Sequence, residues 1–213
     1  MITNPILAFE RRALSKLRWY WLYYPPLLSG AVSSFLYKLI YGNSFTIKQG
    51  AKIWGRYRVL ILGNGSIEIG KRFHCVSDSN RSLITLFSPV QLTAFDQGRI
   101  IIGDNVGLNG TAITSIKKIS IGDETMIAPN TIIVDSDFHN PWPPDQRWIG
   151  KADGMEVNIG KRVWIGMNVI ILKGVEIGDN SIIAAGSVVT DNIEANCVAA
   201  GNPARKVKSF NSA

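Results

Sequence analysis

The chain has 213 residues, enough for one domain with an extension, and its 46% hydrophobic content without a low-complexity tract excludes bulk disorder. Its two cysteines, Cys75 and Cys197, lie far apart and offer neither a disulfide framework nor a CxxC metal site, which suits a reducing cytoplasm. The net charge of +7 is uneven: residues 1–60 hold nine Lys/Arg and one acid, while residues 61–213 hold fourteen and fifteen. No nucleic-acid reader motif accompanies the basic part, so an anionic membrane surface is its better partner.

Residues 1–46 read as a basic, aromatic, helical segment. Over 5–24, Ile6, Leu7, Leu14, Leu17 and Trp21 share one side of a helical wheel. Arg11, Arg12 and Lys16 fall largely opposite, and Pro25-Pro26 ends the helix. Residues 27–41 predict a second apolar helix. Trp19 to Tyr37 is nineteen residues without a charge, near the length that spans a bilayer. The prolines and the run Ser29, Gly30, Ser33, Ser34 argue against a true span. An A-x-A-like signal cleavage site does not follow convincingly. Two roles stay open for the segment. Trp19, Tyr20, Trp21, Tyr23 and Tyr24 beside basic residues suit an interfacial anchor on the inner face of the cytoplasmic membrane. Equally, the helices suit a cap over the open end of the domain that follows, or a subunit contact.

That domain announces itself by a period. From Ile159 to Val189 a branched aliphatic recurs every six residues: Ile159, Ile165, Ile171, Ile177, Ile183, Val189. Val163, Val169, Val175, Ser181 and Ser187 keep the same beat four residues after each of the first five. Six is neither a helical nor an alternating-strand period; it marks a hexapeptide parallel β-helix, three hexads to a coil. The expected fold is therefore an all-β solenoid over 47–208, with a short tail at 209–213. Ile47, Ile53 and Val59 fall in step at its start. Ile-Gly pairs at 69, 102, 121, 159 and 177 mark successive coils, with glycine expected where corners need left-handed backbone. Ile69 to Ile102 and Ile121 to Ile159 are too long for one coil, so loops or irregular turns lie there.

The second gap holds VDSDFHNPWPPDQRWIGKADGMEV, a loop over 135–156 thrown out from the rigid frame, where a site is usually built. Trp142 and Trp148 lie there among Pro141, Pro143 and Pro144. They suit stacking on sugar rings or packing on a neighbouring subunit.

Three stretches carry a family resemblance: IGDETMIAPNTIIVDSDFHN, VNIGKRVWIGMNVIILKGVEIGDNSIIAAGSVVT and ANCVAAGNPARKVK. They resemble the hexapeptide-repeat acyltransferases, whose fold is a left-handed parallel β-helix. Within them the chain looks most like the galactoside, maltose and nodulation acetyltransferases that modify sugars and surface polysaccharides. The resemblance implies acetyl-CoA as donor, no metal, and a homotrimer with each active site between adjacent β-helices. It implies a sugar hydroxyl as acceptor, in a surface polysaccharide or lipid-linked precursor.

The resemblance also assigns roles. His139 falls where the family carries its catalytic histidine, a base for the hydroxyl that attacks the thioester. Asp135 and Asp137 flank it; either orients the imidazole, binds acceptor hydroxyls, or merely forms a turn. Asn109, in VGLNGTAIT, matches an asparagine near the reacting carbonyl, where an amide N–H would stabilise the developing oxyanion; a β-helix ladder asparagine is the bland alternative. Trp164 matches the tryptophan beside the CoA arm, while Met167 departs from the small or hydroxyl residue usual three positions on. Ala185, Gly186 and Thr190 match the pantetheine groove. Arg205 and Lys208, with Lys206 a further candidate, match basic contacts to the nucleotide phosphates.

Other classes remain in view. An amine acceptor would make the chain an N-acetyltransferase of an amino sugar or antibiotic. A non-catalytic scaffold would share the fold. A zinc hydratase on a β-helix needs three histidine ligands, and the chain has only His74 and His139.

Overall fold

The computed structural model describes residues 29–147 and 153–210. The predicted helix over 5–24, Trp148 and the end of the tail lie outside the described residues.

Three parallel sheets wind around one core. The first is built from Phe45–Ile47, Ser66–Ile69, Arg99–Ile102, Lys118–Ile121, Val157–Ile159 and Glu176–Ile177. The second runs Lys52–Trp54, His74–Val76, Gly107–Asn109, Met126–Ile127, Trp164–Ile165, Ile182–Ile183 and Cys197–Gly201, with Ala204–Ser209 added antiparallel at its end. The third holds Arg58–Ile61, Gln91–Ala94, Ala112–Ser115, Ile132–Val134, Ile170–Ile171 and Val188–Val189. Each coil visits the three in turn, as the period of six requires. Ile159 and Ile177 pair in the first sheet, Ile165 and Ile183 in the second, Ile171 and Val189 in the third. Their side chains stack inward, so each aliphatic is covered by the one a coil away.

The companion position of the beat is also inward. At several coils it is a threonine or serine, whose hydroxyl serves the backbone of a corner. Thr125 Oγ1 donates to Gly160 O at 2.8 Å, Thr131 Oγ1 to Gly166 O at 3.0 Å, and Ser187 Oγ to Ala184 O at 2.7 Å. These buried polar groups are satisfied.

The Ile-Gly glycines serve a different purpose from the one expected. Positive φ falls two residues later, on Asn105, Glu124, Arg162 and Asn180. The glycines answer a close approach between coils instead: a Cβ on Gly122 would stand 2.6 Å from Gly160 C, and one on Gly178 2.4 Å from Ala195 N. Stacked corners leave no room there for a side chain.

Two loops leave this frame. Residues 77–90 depart between the second and third sheets, and residues 135–156 between the third and first. Register resumes after both, as Ile67 pairs with Ile100 and Ile119 with Val157. At the N-terminal end a helix over residues 29–41 lies across the first coil. Tyr37 Oη donates to Tyr57 O at 2.8 Å, and its ring meets Tyr57 and Phe45 edge-on. No helix among the described residues is long and apolar enough to cross a membrane.

Candidate active site

Strand pairing puts outward side chains of the second sheet into rows. One row runs His74, Gly107, Met126, Trp164, Ile182, Val198 and Lys208. The neighbouring row begins Trp54, Val76, Asn109. Between them opens a recess of about 320 Å³, lined by Trp54, His74, Asn109, Met126, Pro129 and Trp164 among others. Gly107 lies in its floor, with open space where a side chain would stand. Beyond Trp164 the recess passes into an apolar groove of about 390 Å³ formed by Ile84, Ala128, Gly166, Met167, Ala184 and Ala185. Trp164 is 57% exposed and belongs to both.

Asn109 sits at the end of its strand. Its Nδ2 donates to Ser82 Oγ at 3.4 Å, while its Oδ1 is buried and accepts no hydrogen bond among the described residues. Ser82 belongs to the loop over 77–90, which Asn130 pins down: Phe87 N donates to its Oδ1 at 2.9 Å, and its Nδ2 donates to Thr85 O at 2.9 Å. The loop thus supplies Ile84 to the groove and Ser82 to Asn109.

Trp54 and His74 were missed as site residues by sequence reasoning. Their rings lie 6.0 Å apart, and the Arg81 guanidinium stands 5.5 Å from the Trp54 ring centre. Burial, and secondarily the Lys52 ammonium, lower the His74 pKa, so its imidazole is neutral near pH 7. A signal was available. Ile53 and Cys75 are inward residues, so Trp54 and His74 beside them must point out of the same sheet.

The remaining predicted residues gather elsewhere, at the corner between the third and first sheets. Asp135 is fully buried. Its carboxylate accepts from Ser115 Oγ at 2.7 Å, Ile116 N at 2.9 Å and Lys117 N at 2.9 Å. This corrects the expectation that Asp135 meets the acceptor or the imidazole: it faces inward and clamps the root of the loop to the coil beneath. Asp137 is exposed and paired with Lys173 of the following coil. His139 is exposed two residues on, and Trp142 is exposed farther along the loop. His74 and His139 therefore stand on different sides of the solenoid.

Thr190 follows the last strand of the third sheet, so it lies at the His139 corner and not beside Ala185. Its Oγ1 donates to Asp191 Oδ2 at 2.8 Å, and Arg205 bridges to the same carboxylate oxygen at 2.7 Å. Gly186 has φ +72° at the turn after Ala185, a conformation glycine adopts without strain. Lys206 pairs with Glu194 at 2.6 Å, while the Lys208 ammonium lies 5.4 Å from the Phe210 ring centre. The predicted residues thus form two groups. Asn109, Trp164, Ala185, Gly186 and Lys208 follow the second sheet to its end; Asp137, His139, Trp142 and Thr190 hold the opposite corner, and Arg205, though its strand ends the second sheet, reaches toward Thr190 through Asp191.

The comparisons with known proteins agree with this architecture. The family model for bacterial transferase hexapeptide repeats matches residues 156–191, the unbroken part of the period. WbbJ of Escherichia coli K12, assigned to lipopolysaccharide biosynthesis as an O-acetyl transferase, is 34% identical over 167 residues, 73% of this chain and 78% of its own. A galactoside acetyltransferase solved in complex with coenzyme A superposes with a TM-score of 0.55 at 28% identity, covering 87% of this chain and 81% of that one. A mutant of AntD, an N-acyltransferase from Bacillus cereus solved with dTDP-4-amino-4,6-dideoxyglucose and coenzyme A, gives 0.56 at 21% identity, covering 82% and 89%; at that identity it speaks for the left-handed β-helix alone. Repeat, coil geometry and the two-thirds coverage of a relative converge, and the chain belongs to the hexapeptide-repeat acetyltransferase family.

Proposed function

We propose that the protein transfers an acetyl group from acetyl-CoA to a hydroxyl of a sugar, in a surface polysaccharide or its lipid-linked precursor, with His139 as general base. The observation that carries the proposal is the division of the site. One side of the solenoid offers a groove with a recess at one end and basic residues at the other. The histidine stands at a different corner of the same chain, with the third sheet between. A homotrimer would set the His139 corner of one copy against the second sheet of the next, completing a site that one copy leaves in halves.

The groove suits the donor. Ala128, Gly166, Ala184 and Ala185 leave a narrow apolar channel for an extended amide-bearing arm, with Trp164 as an aromatic wall. Lys208 lies farther along the same row, placed for a phosphate. Arg205 would have to exchange Asp191 for that phosphate, which lowers its contribution. The recess beyond Trp164 suits the acceptor. Trp54 offers a flat face to a sugar ring, and neutral His74 offers both a donor and an acceptor to hydroxyls.

The chemistry needs one proton moved. His139 takes the hydroxyl proton as that oxygen bonds to the thioester carbonyl carbon, and returns it to the departing thiolate. Asn109 lines the recess, where the Nδ2 hydrogen not given to Ser82 would serve the carbonyl oxygen. The Asp137–Lys173 ion pair ties the first turn of the loop to the next coil, which makes Asp137 a positioning residue for His139. Oxygen is preferred over nitrogen as acceptor because of the likeness to WbbJ; an amino-sugar acceptor is the second reading, since the fold also carries an N-acyltransferase.

The test incubates the protein and a His139→Ala variant with acetyl-CoA and a panel of sugars, amino sugars and isolated surface glycans. Thiol release and product mass are recorded. The expected result is an O-acetyl product whose turnover falls roughly 10²–10⁴-fold in the variant. Full activity in the variant, or no acetyl-CoA binding by folded protein, would overturn the proposal. Sedimentation reads the trimer. Mixed assemblies of His139→Ala and Asn109→Ala copies should regain activity that neither variant has alone.

A further inference from the structure

The helix over residues 29–41 does two things, and only one is explained by the fold. Its inner side closes the first coil. Ser34 Oγ and Tyr57 Oη are 2.9 Å apart, Tyr37 Oη donates to Tyr57 O, and Tyr41 Oη donates to Val59 O at 3.3 Å. Gly30 meets the coil so closely that a Cβ there would stand 2.4 Å from Ile53 O. Those contacts fix the roll of the helix. The opposite side then presents Val32, Phe35, Leu36, Leu39 and Ile40, spaced i, i+3, i+4, i+7, i+8. Phe35 is 68%, Leu39 73% and Ile40 66% exposed. The capping side is tyrosine and serine, so this apolar stripe is not spare core turned the wrong way.

Charge indicates what covers it. Residues 29–60 contain Lys38, Lys48, Lys52, Arg56 and Arg58 and no acid, and all five cations are exposed. They belong to the helix and to the coil that it covers. The rest of the chain beyond residue 60 is close to neutral. A second copy seated on the stripe would bring five cations against five. The preceding segment, with Arg11, Arg12, Lys16 and Arg18 against Glu10 alone, is itself basic and would be repelled too. An apolar stripe rimmed by cations complements a surface that is apolar within and anionic at its rim.

We propose that this helix docks the protein on an anionic lipid bilayer, lying in the interface with the stripe in the acyl boundary and the cations at the headgroups. One side of the helix is hydrogen-bonded to the first coil through Ser34, Tyr37 and Tyr41, so its described part lies along the membrane surface with only the stripe in the acyl boundary. The inference stands on the helix and first coil alone and does not depend on the transfer chemistry.

The experiment sediments the full chain with vesicles of phosphatidylcholine, alone or mixed with phosphatidylglycerol, at low and high salt. Beside it runs a Phe35→Ser/Leu39→Ser double variant, whose folding is checked by circular dichroism. Both positions are exposed, so the fold should be unaffected. The expected result is co-sedimentation with the phosphatidylglycerol vesicles that weakens with salt and drops roughly tenfold or more in the variant. Three outcomes overturn the proposal: the native chain stays in the supernatant with both vesicles; the variant partitions like the native chain; or light scattering shows native assemblies that the variant breaks, making a second copy the occupant. Acetyl transfer to a water-soluble acceptor, measured without vesicles, reads the transferase separately.

Discussion

Replacing Asp135 by alanine removes the acceptor for two backbone N–H groups, those of Ile116 and Lys117, at a fully buried corner. The Ser115 hydroxyl loses a partner too, but it keeps Arg99 O at 3.2 Å and so adds little. Two N–H groups bonded to a carboxylate are worth about 1.5–3 kcal/mol each, and neither regains water without opening the corner. The expected loss is about 3–5 kcal/mol of unfolding free energy. Asparagine keeps one acceptor oxygen and turns its NH₂ toward the other donors, so Asp135→Asn should lose about half as much. Urea unfolding of the three proteins at one fixed concentration reads both values, with concentration held because assembly, if it occurs, would add to stability. A loss below about 1 kcal/mol for alanine would refute the clamp and mean that the corner rehydrates freely. A raised acceptor KM in Asp135→Asn with stability unchanged would restore the contact to substrate that burial argues against.

Three further outcomes follow from the geometry. Because burial and Lys52 hold the His74 pKa below its usual value, the ring stays neutral as pH falls through 6.5 and gains its proton only lower; Lys52→Gln should move its titration midpoint upward, as followed by NMR. Trp164→Ala should raise the KM for acetyl-CoA roughly tenfold or more by removing the aromatic wall, and an unchanged KM would take Trp164 out of the groove. Both cysteines are buried, and burial pushes the Cys75 thiol up to about 12, so neither should react with a maleimide until the protein unfolds; fast native labelling would contradict the packing.

The frame was legible because its period is uninterrupted where it matters. Ile159 to Val189 contains no insertion, so each residue's sheet follows from arithmetic. The inward turn of Asp135 does not follow from the count: its strand ends at Val134, and the same step past the core aliphatic of the next two coils reaches Lys173 and Asp191, neither of them buried. What turns it inward is the set of donors on Ser115, Ile116 and Lys117 in the coil beneath, out of reach of any local pattern. The loop over 77–90 was legible only as an excess of residues. Its return over Asn109 and Asn130 depends on side-chain hydrogen bonds across 27 to 45 positions, as between Ser82 and Asn109 or Phe87 and Asn130, which no local pattern encodes. Trp54 and His74 escaped because they belong to no motif; they form a wall only when coils stack. The Ile-Gly glycines were right in place and wrong in cause, since close approach is a property of neighbouring coils and φ a property of one residue.

The two loops share a property with consequences for how such proteins diversify. Each leaves at a corner and returns at that corner, and the ladder resumes as if nothing had been inserted. Length at a corner is therefore nearly invisible to the stacked frame. The two corners are not equivalent in what such a change would reach. Residues 135–156 can vary in length without moving the groove on the second sheet, whereas residues 77–90 lend Ile84 to that groove and Ser82 to Asn109, so any change there is felt by both.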